Sequence, residues 1–181
     1  MTDKSIKRQR QVNQTIDWFV ESLVQLLERK QYQQITIKGL AERAGLSTRT
    51  FYRHFTSIDD VLKIQLDHYN LGLLKTLRDD RPVSFPEMVT IFFEYSEQHK
   101  QFLLALYRNQ LTYLLLANLR SHMGESLLSQ FNLKQRKYVY SFSIGGIGNL
   151  LLDWLQNDAK QSPNEMRSIA QAIGQHLIDV M

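Results

Sequence analysis

The sequence predicts an all-α protein: an N-terminal three-helix unit joined to a longer helical C-terminal domain. Three observations carry this. Apolar residues recur at helical spacing along nearly the whole chain, with no sustained period-2 alternation bounded by turn pairs. There are only three prolines, Pro82, Pro86 and Pro163, each at or near a break in the periodicity. Helix start and stop signals sit at those breaks: Gly45, then Ser-x-x-Glu boxes at Ser84–Glu87 and Ser162–Glu165.

The first helix is predicted from about Arg8 to Lys30, with Ile16, Phe19, Val20, Leu23, Leu26 and Leu27 on one stripe. A short helix follows in "IKGLAERA" and ends at Gly45, where a left-handed residue is needed. Ser47 caps a third helix, from Thr48 to about His54. Ser57 caps a longer fourth, whose first turn carries Asp59 and Asp60, the sign that the helix dipole favours there. "DDRPVS" (Asp79–Ser84) is a clear break. Beyond it helices are predicted at about 85–98, 102–120, 134–157 and 163–180. The division of labour is expected at residues 1–57 and 58–181, with the fourth helix as the link.

The 181 residues carry no cysteine, which excludes a disulfide framework and thiolate metal sites and fits a reducing cytoplasm. The basic start "MTDKSIKRQRQVNQ" has no apolar segment behind it, so no secretory signal is expected. The best membrane candidate, Phe102–Leu119, is interrupted by Arg108, Asn109 and Gln110, and no membrane partner is expected. Charge is more informative. Residues 1–58 hold ten Lys/Arg against five Asp/Glu, while the remainder holds twelve against thirteen. The whole basic surplus therefore lies in the N-terminal third. That suggests a polyanion partner, although a hydrated basic face would look the same.

The stretch "GLSTRTFYRHFTS" (Gly45–Ser57) bears on the choice. Phe51 and Phe55, at i and i+4, can pin a short helix to its neighbour. Thr48, Arg49, Tyr52 and Arg53 are then left outward, with Thr50 and His54 at the edges. Such a face suits the major groove of double-stranded DNA. Arginine reads guanine with two hydrogen bonds, and threonine, tyrosine and histidine hold phosphates or a thymine methyl. A polar surface helix is the plainer alternative; the Gly turn, the Phe pair and the basic field together speak against it.

"ITIKGLAERAGLSTRTFYRHFTSIDDVLK" resembles the DNA-binding segment of the TetR family of bacterial one-component regulators. The match runs through Thr36, Ile37, Leu40, Ala41, Ala44, Gly45, Leu46, Ser47, Thr50, Phe51, Tyr52, His54 and Phe55. The resemblance implies a helix-turn-helix in which Thr36 caps the second helix at a phosphate and Lys38 lies near the backbone or a base edge. Ser47 caps the recognition helix, Thr48 and Arg49 read bases, and Thr50, Tyr52 and His54 hold phosphates, with Arg53 beside them. Ile58 departs from the pattern, which has a phosphate-binding lysine after the serine. That contact is missing, and a third reading, a helical interaction protein with a vestigial helix-turn-helix, rests on it alone. Gly39 is also unusual inside a helix, where it costs roughly 1 kcal/mol against alanine.

The C-terminal domain reads as a dimerisation and effector domain. Tyr138–Asp158 is apolar almost all round, with Gly145, Gly146 and Gly148 small enough for close helix approach, and must be covered. The last helix offers Met166, Ile169, Ala170, Ile173, Leu177 and Ile178 as a stripe. A homodimer follows from mechanism as well, since two recognition helices must lie about one DNA turn, roughly 34 Å, apart on a pseudopalindromic operator. The domain further resembles a Firmicutes-type subgroup of the family typified by dihydroxyacetone-kinase operon activators. The resemblance leaves two effector classes open, a small molecule or a protein co-regulator, and with them repressor and activator. No pocket is derivable: Tyr69, Tyr95, His99, Phe102, Tyr107, Tyr113, His122 and Trp154 read first as core.

Enzyme chemistry finds no footing. The three glycines lack the third position of a dinucleotide loop, where Leu151 stands, and follow no strand. The five histidines have no metal spacing, and no nucleophile–base signature occurs. No cofactor, metal or catalytic residue is expected.

Overall fold

The computed structural model describes residues 3–80, 84–122 and 136–180, and these are helical with no strand. The helices are α1 (Asp3–Leu27), α2 (Ile37–Arg43), α3 (Thr48–Tyr52), α4 (Ile58–Asp80), α5 (Phe85–Gln98), α6 (Lys100–Arg108), α7 (Thr112–His122), α8 (Arg136–Gln156) and α9 (Pro163–Val180). A 3-10 turn at Tyr32–Gln34 joins α1 to α2. The chain forms two compact units, Met1–His68 and Tyr69–Met181, divided within α4.

In the first unit, the stripe on α1 meets α2 and α3. Phe19 is fully buried, with Phe51 edge-on at 5.4 Å and Phe55 at 5.5 Å. Leu23, Leu40 and Ala41 close the same core. Burying an aromatic side chain contributes roughly 2–3 kcal/mol, and edge-to-face pairs add about 1.

In the second unit, α5 lies along α9. Phe93 meets Trp154 at 5.5 Å, and the indole N–H of Trp154 donates to the Gln161 carbonyl at 2.8 Å. The core also contains polar groups. Tyr69 and Ser96 share a buried hydrogen bond of 2.9 Å. Asn70 donates to the Asn118 side chain at 2.6 Å. Burial holds the Tyr69 hydroxyl well above the usual phenol range. Of the aromatic residues on this unit's helices, Tyr69, Phe92, Phe93, Phe102 and Trp154 are buried, and Tyr113 and Phe142 are exposed.

The predicted helix 102–120 is in fact two. α6 ends at Arg108, and Gln110 takes a left-handed conformation at φ 58°. Leu111 N–H then donates to the Leu106 carbonyl and Gln110 N–H to that of Tyr107. This paired closure satisfies two of the helix's last carbonyls. The capping box at Ser162 forms as predicted, with Glu165 accepting from the Ser162 N–H and hydroxyl at 2.7 Å and returning its own N–H to the Ser162 hydroxyl at 3.3 Å. Gly148 lies against Leu116, where an added Cβ would stand 3.2 Å from a methyl group, whereas Gly145 and Gly146 face open space. All three sit inside α8. On α9, Met166 and Ala170 are buried, and Ile169 and Ile173 are exposed. The side chains of Leu177 and Ile178, and residues 81–83 of the predicted break, lie outside what is described.

Candidate nucleic-acid interface

The turn between α2 and α3 is built from sequence-local chemistry. Thr36 caps α2, its hydroxyl accepting the Gly39 N–H at 3.1 Å. A Cβ on Gly39 would stand 3.3 Å from the same oxygen, a tight contact beside the cap. Gly45 takes φ 68°, and Leu46 N–H reaches back to the Ala41 carbonyl at 2.9 Å. Ser47 caps α3, accepting from Thr50 N–H at 3.1 Å and sharing a 2.9 Å hydrogen bond with the Thr50 hydroxyl.

The two faces of α3 then differ completely. Phe51 is fully buried and Phe55 nearly so. Thr48, Arg49, Tyr52 and Arg53 are exposed, Tyr52 at 62%, and Thr50 and His54 are half-buried. Thr36, Lys38 and Ser47 are exposed beside them. Lys38 makes only a loose 3.9 Å pair with Glu42, in full solvent, worth little. Arg43 is turned away, its Nε donating to Gln25 at 2.7 Å. The His54 ring is held below the ordinary imidazole pKa, first by burial and then by the Arg53 charge. It is therefore neutral at physiological pH and offers one N–H donor.

Ile58 opens α4 and is half-buried. The start of α4 is held by Asp60, whose carboxylate accepts from the Thr56 hydroxyl at 2.6 Å and from the Thr56 and Ser57 N–H groups at 2.7 and 3.1 Å. Those donors hold its pKa below the usual carboxylate value, the Thr56 hydroxyl most of all.

A cleft of about 380 Å³ opens between α1 and the turn closing α3, lined by Arg8, Gln11, Val12, Thr15, Arg53 and His54. Sequence reasoning did not assemble it. The available signal was the spacing of residues 8, 11, 12 and 15, one face of a helix continuing the apolar stripe with polar groups.

Two family descriptions match the chain. Residues 20–63 match "Bacterial regulatory proteins, tetR family", and residues 84–175 match "Transcriptional regulator C-terminal region". The chain belongs to the TetR family. It is thus a DNA-binding transcriptional regulator with an N-terminal helix-turn-helix and a helical C-terminal domain. Its fold is similar to that of a TetR transcriptional regulator from Streptococcus agalactiae 2603V, at 19% identity and a TM-score of 0.67, over 93% of this chain and 98% of that one. It is also similar to the fatty acid degradation regulator FadR from Bacillus halodurans, at 16% identity and a TM-score of 0.66, over 88% and 92% of the two chains. No curated protein matches it by sequence. Among the described residues, no helix of this TetR-family chain is long and apolar enough to cross a membrane.

Proposed function

We propose that this chain is a cytoplasmic, non-enzymatic repressor that binds a pseudopalindromic operator as a homodimer and is released by a small-molecule effector. The observation that carries it is the two-faced segment formed by α3 and the turn that closes it, with Phe51 and Phe55 buried and Thr48, Arg49, Tyr52 and Arg53 presented outward. Residues 1–57 would read the DNA and residues 58–181 would dimerise and answer to the effector. Thr48 and Arg49 read base edges. Thr36, Ser47, Thr50, Tyr52, Arg53 and His54 hold phosphates, and Lys38 lies near the backbone. Phe142 at 67% exposure, with Ile169 and Ile173 at 40% and 39%, supports a self-association face on α8 and α9. An effector would act by favouring a dimer whose recognition helices no longer match the operator's spacing.

A second reading, an activator whose C-terminal domain docks a protein as the dihydroxyacetone-kinase operon type would, is favoured by one surface. Tyr113, 64% exposed, borders an open cleft of about 320 Å³ with Ile144, Gly145 and Asn149.

The test is selection of genomic DNA fragments by the purified protein at physiological salt. Enrichment of one pseudopalindrome supports the operator-binding dimer, and Arg49→Ala should then cost about 1–3 kcal/mol and relax specificity at one base position. A folded protein that enriches no sequence sinks the reading.

A further inference from the structure

Two arginines, Arg8 and Arg53, line the cleft between α1 and the end of α3, and both are exposed. Among the described residues, neither forms an ion pair. His54, neutral for the reasons above, adds a donor and no charge. Gln11 adds a side-chain amide, and the Thr15 hydroxyl is committed to the Gln11 carbonyl at 2.9 Å. Val12 is the one aliphatic residue among the six. Sites for apolar ligands are lined mainly by hydrophobic and aromatic groups, so this cleft does not fit one. Two like charges around one concavity repel until an anion sits between them, and a guanidinium fork matches phosphate oxygens.

We propose that this cleft seats a single DNA backbone phosphate, shared by Arg8 of α1 and Arg53, with the His54 N–H and the Gln11 amide as neutral donors. α1 is then a DNA-contacting element, and Arg8 and Gln11 are binding residues in addition to those of the recognition helix. The inference rests on the operator-binding reading, and the experiment separates the two.

The selected operator is titrated over a range of salt with the wild type, Arg8→Gln, Arg53→Gln and the double variant. Each single substitution should weaken binding about tenfold, the loss of one charge-assisted hydrogen bond. The double variant should flatten the slope of log affinity against log salt by about 0.9, one phosphate released. Its affinity loss should be smaller than the product of the two single losses, because both groups act on one phosphate. A loss equal to the product, with about twice that change in slope, would assign the arginines to separate phosphates and overturn the shared seat. Unchanged affinity and slope in all three variants would overturn it outright. Inorganic phosphate is titrated in parallel into the protein alone, with the His54 ring followed by NMR. Saturation that Arg8→Gln abolishes, with operator binding untouched, would give the cleft to a free phosphate and remove the DNA assignment. A wild type that retains no DNA defeats the operator reading itself, and a wild type that binds its operator with variants that behave identically defeats only the seat.

Discussion

Phe51 shows how far one residue can be followed from sequence to structure. Its spacing from Phe55 predicts an inward pair, and the structure adds Phe19 as the ring both meet. Phe51→Ala should destabilise the N-terminal unit by about 3–5 kcal/mol in denaturant titration, since the rings around the hole cannot all collapse into it. Asp60 gives a pH signature. Its folded pKa lies below the ordinary 3.8, so its contribution is present above that value and is lost as pH falls through the lowered one. Asp60→Asn should therefore lower the melting temperature at pH 7, and the difference from wild type should shrink as pH falls below the ordinary carboxylate range. The pairing of Tyr95 with Gly72 lay beyond sequence reasoning. The Tyr95 hydroxyl fills the space a Cβ on Gly72 would need, and nothing local links the two positions. Gly72→Ala should displace Tyr95 and lower stability. Adding Tyr95→Phe should recover part of the loss, because the hydroxyl oxygen is the nearest obstruction.

At the scale of elements, three helices end by one device with unequal visibility. α2, α6 and α8 each close through a left-handed residue, Gly45, Gln110 and Asp158, followed by an N–H that reaches five residues back. Glycine announces the first, and the sequence analysis placed that stop correctly. Gln110 and Asp158 carry no such mark, which is why 102–120 read as one helix. Helical periodicity persisted across the joint because both sides are apolar, and the break is made by backbone hydrogen bonds that any side chain can accompany. The outward face of Thr48, Arg49, Tyr52 and Arg53 was legible for the opposite reason: its residues are neighbours in sequence. The Arg8–Arg53 cleft was not, because its walls meet only after α1 packs on α3. The shared device yields opposite substitutions. Gly45→Ala should cost about 1 kcal/mol, and Gln110→Gly or Asp158→Gly should raise stability by up to about 1 kcal/mol, read as shifts in thermal melting.

For the whole molecule, charge is distributed unequally along the chain, whereas exposed apolar side chains occur in both units, Ile6 and Trp18 among them. The basic surplus is confined to residues 1–58, and the exposed Phe142, Ile169 and Ile173 all lie on α8 and α9. If the second set joins two copies, Ile169→Asp with Ile173→Asp should give a folded monomer in sedimentation and weaken operator binding far more than it weakens the fold, since half-sites would be met one at a time. The joint between α6 and α7 has a different consequence, felt before the protein is folded. Phe102–Leu119 is an 18-residue stretch whose one charge, Arg108, and two polar neighbours, Asn109 and Gln110, stand together at its middle. Leucine at those three positions would leave an uncharged run of the length from which a spanning helix begins. A ribosome exposing that run would offer the cell's membrane-insertion machinery a plausible anchor. Arg108, Asn109 and Gln110 thus both end α6 and keep this stretch too polar to read as a spanning helix.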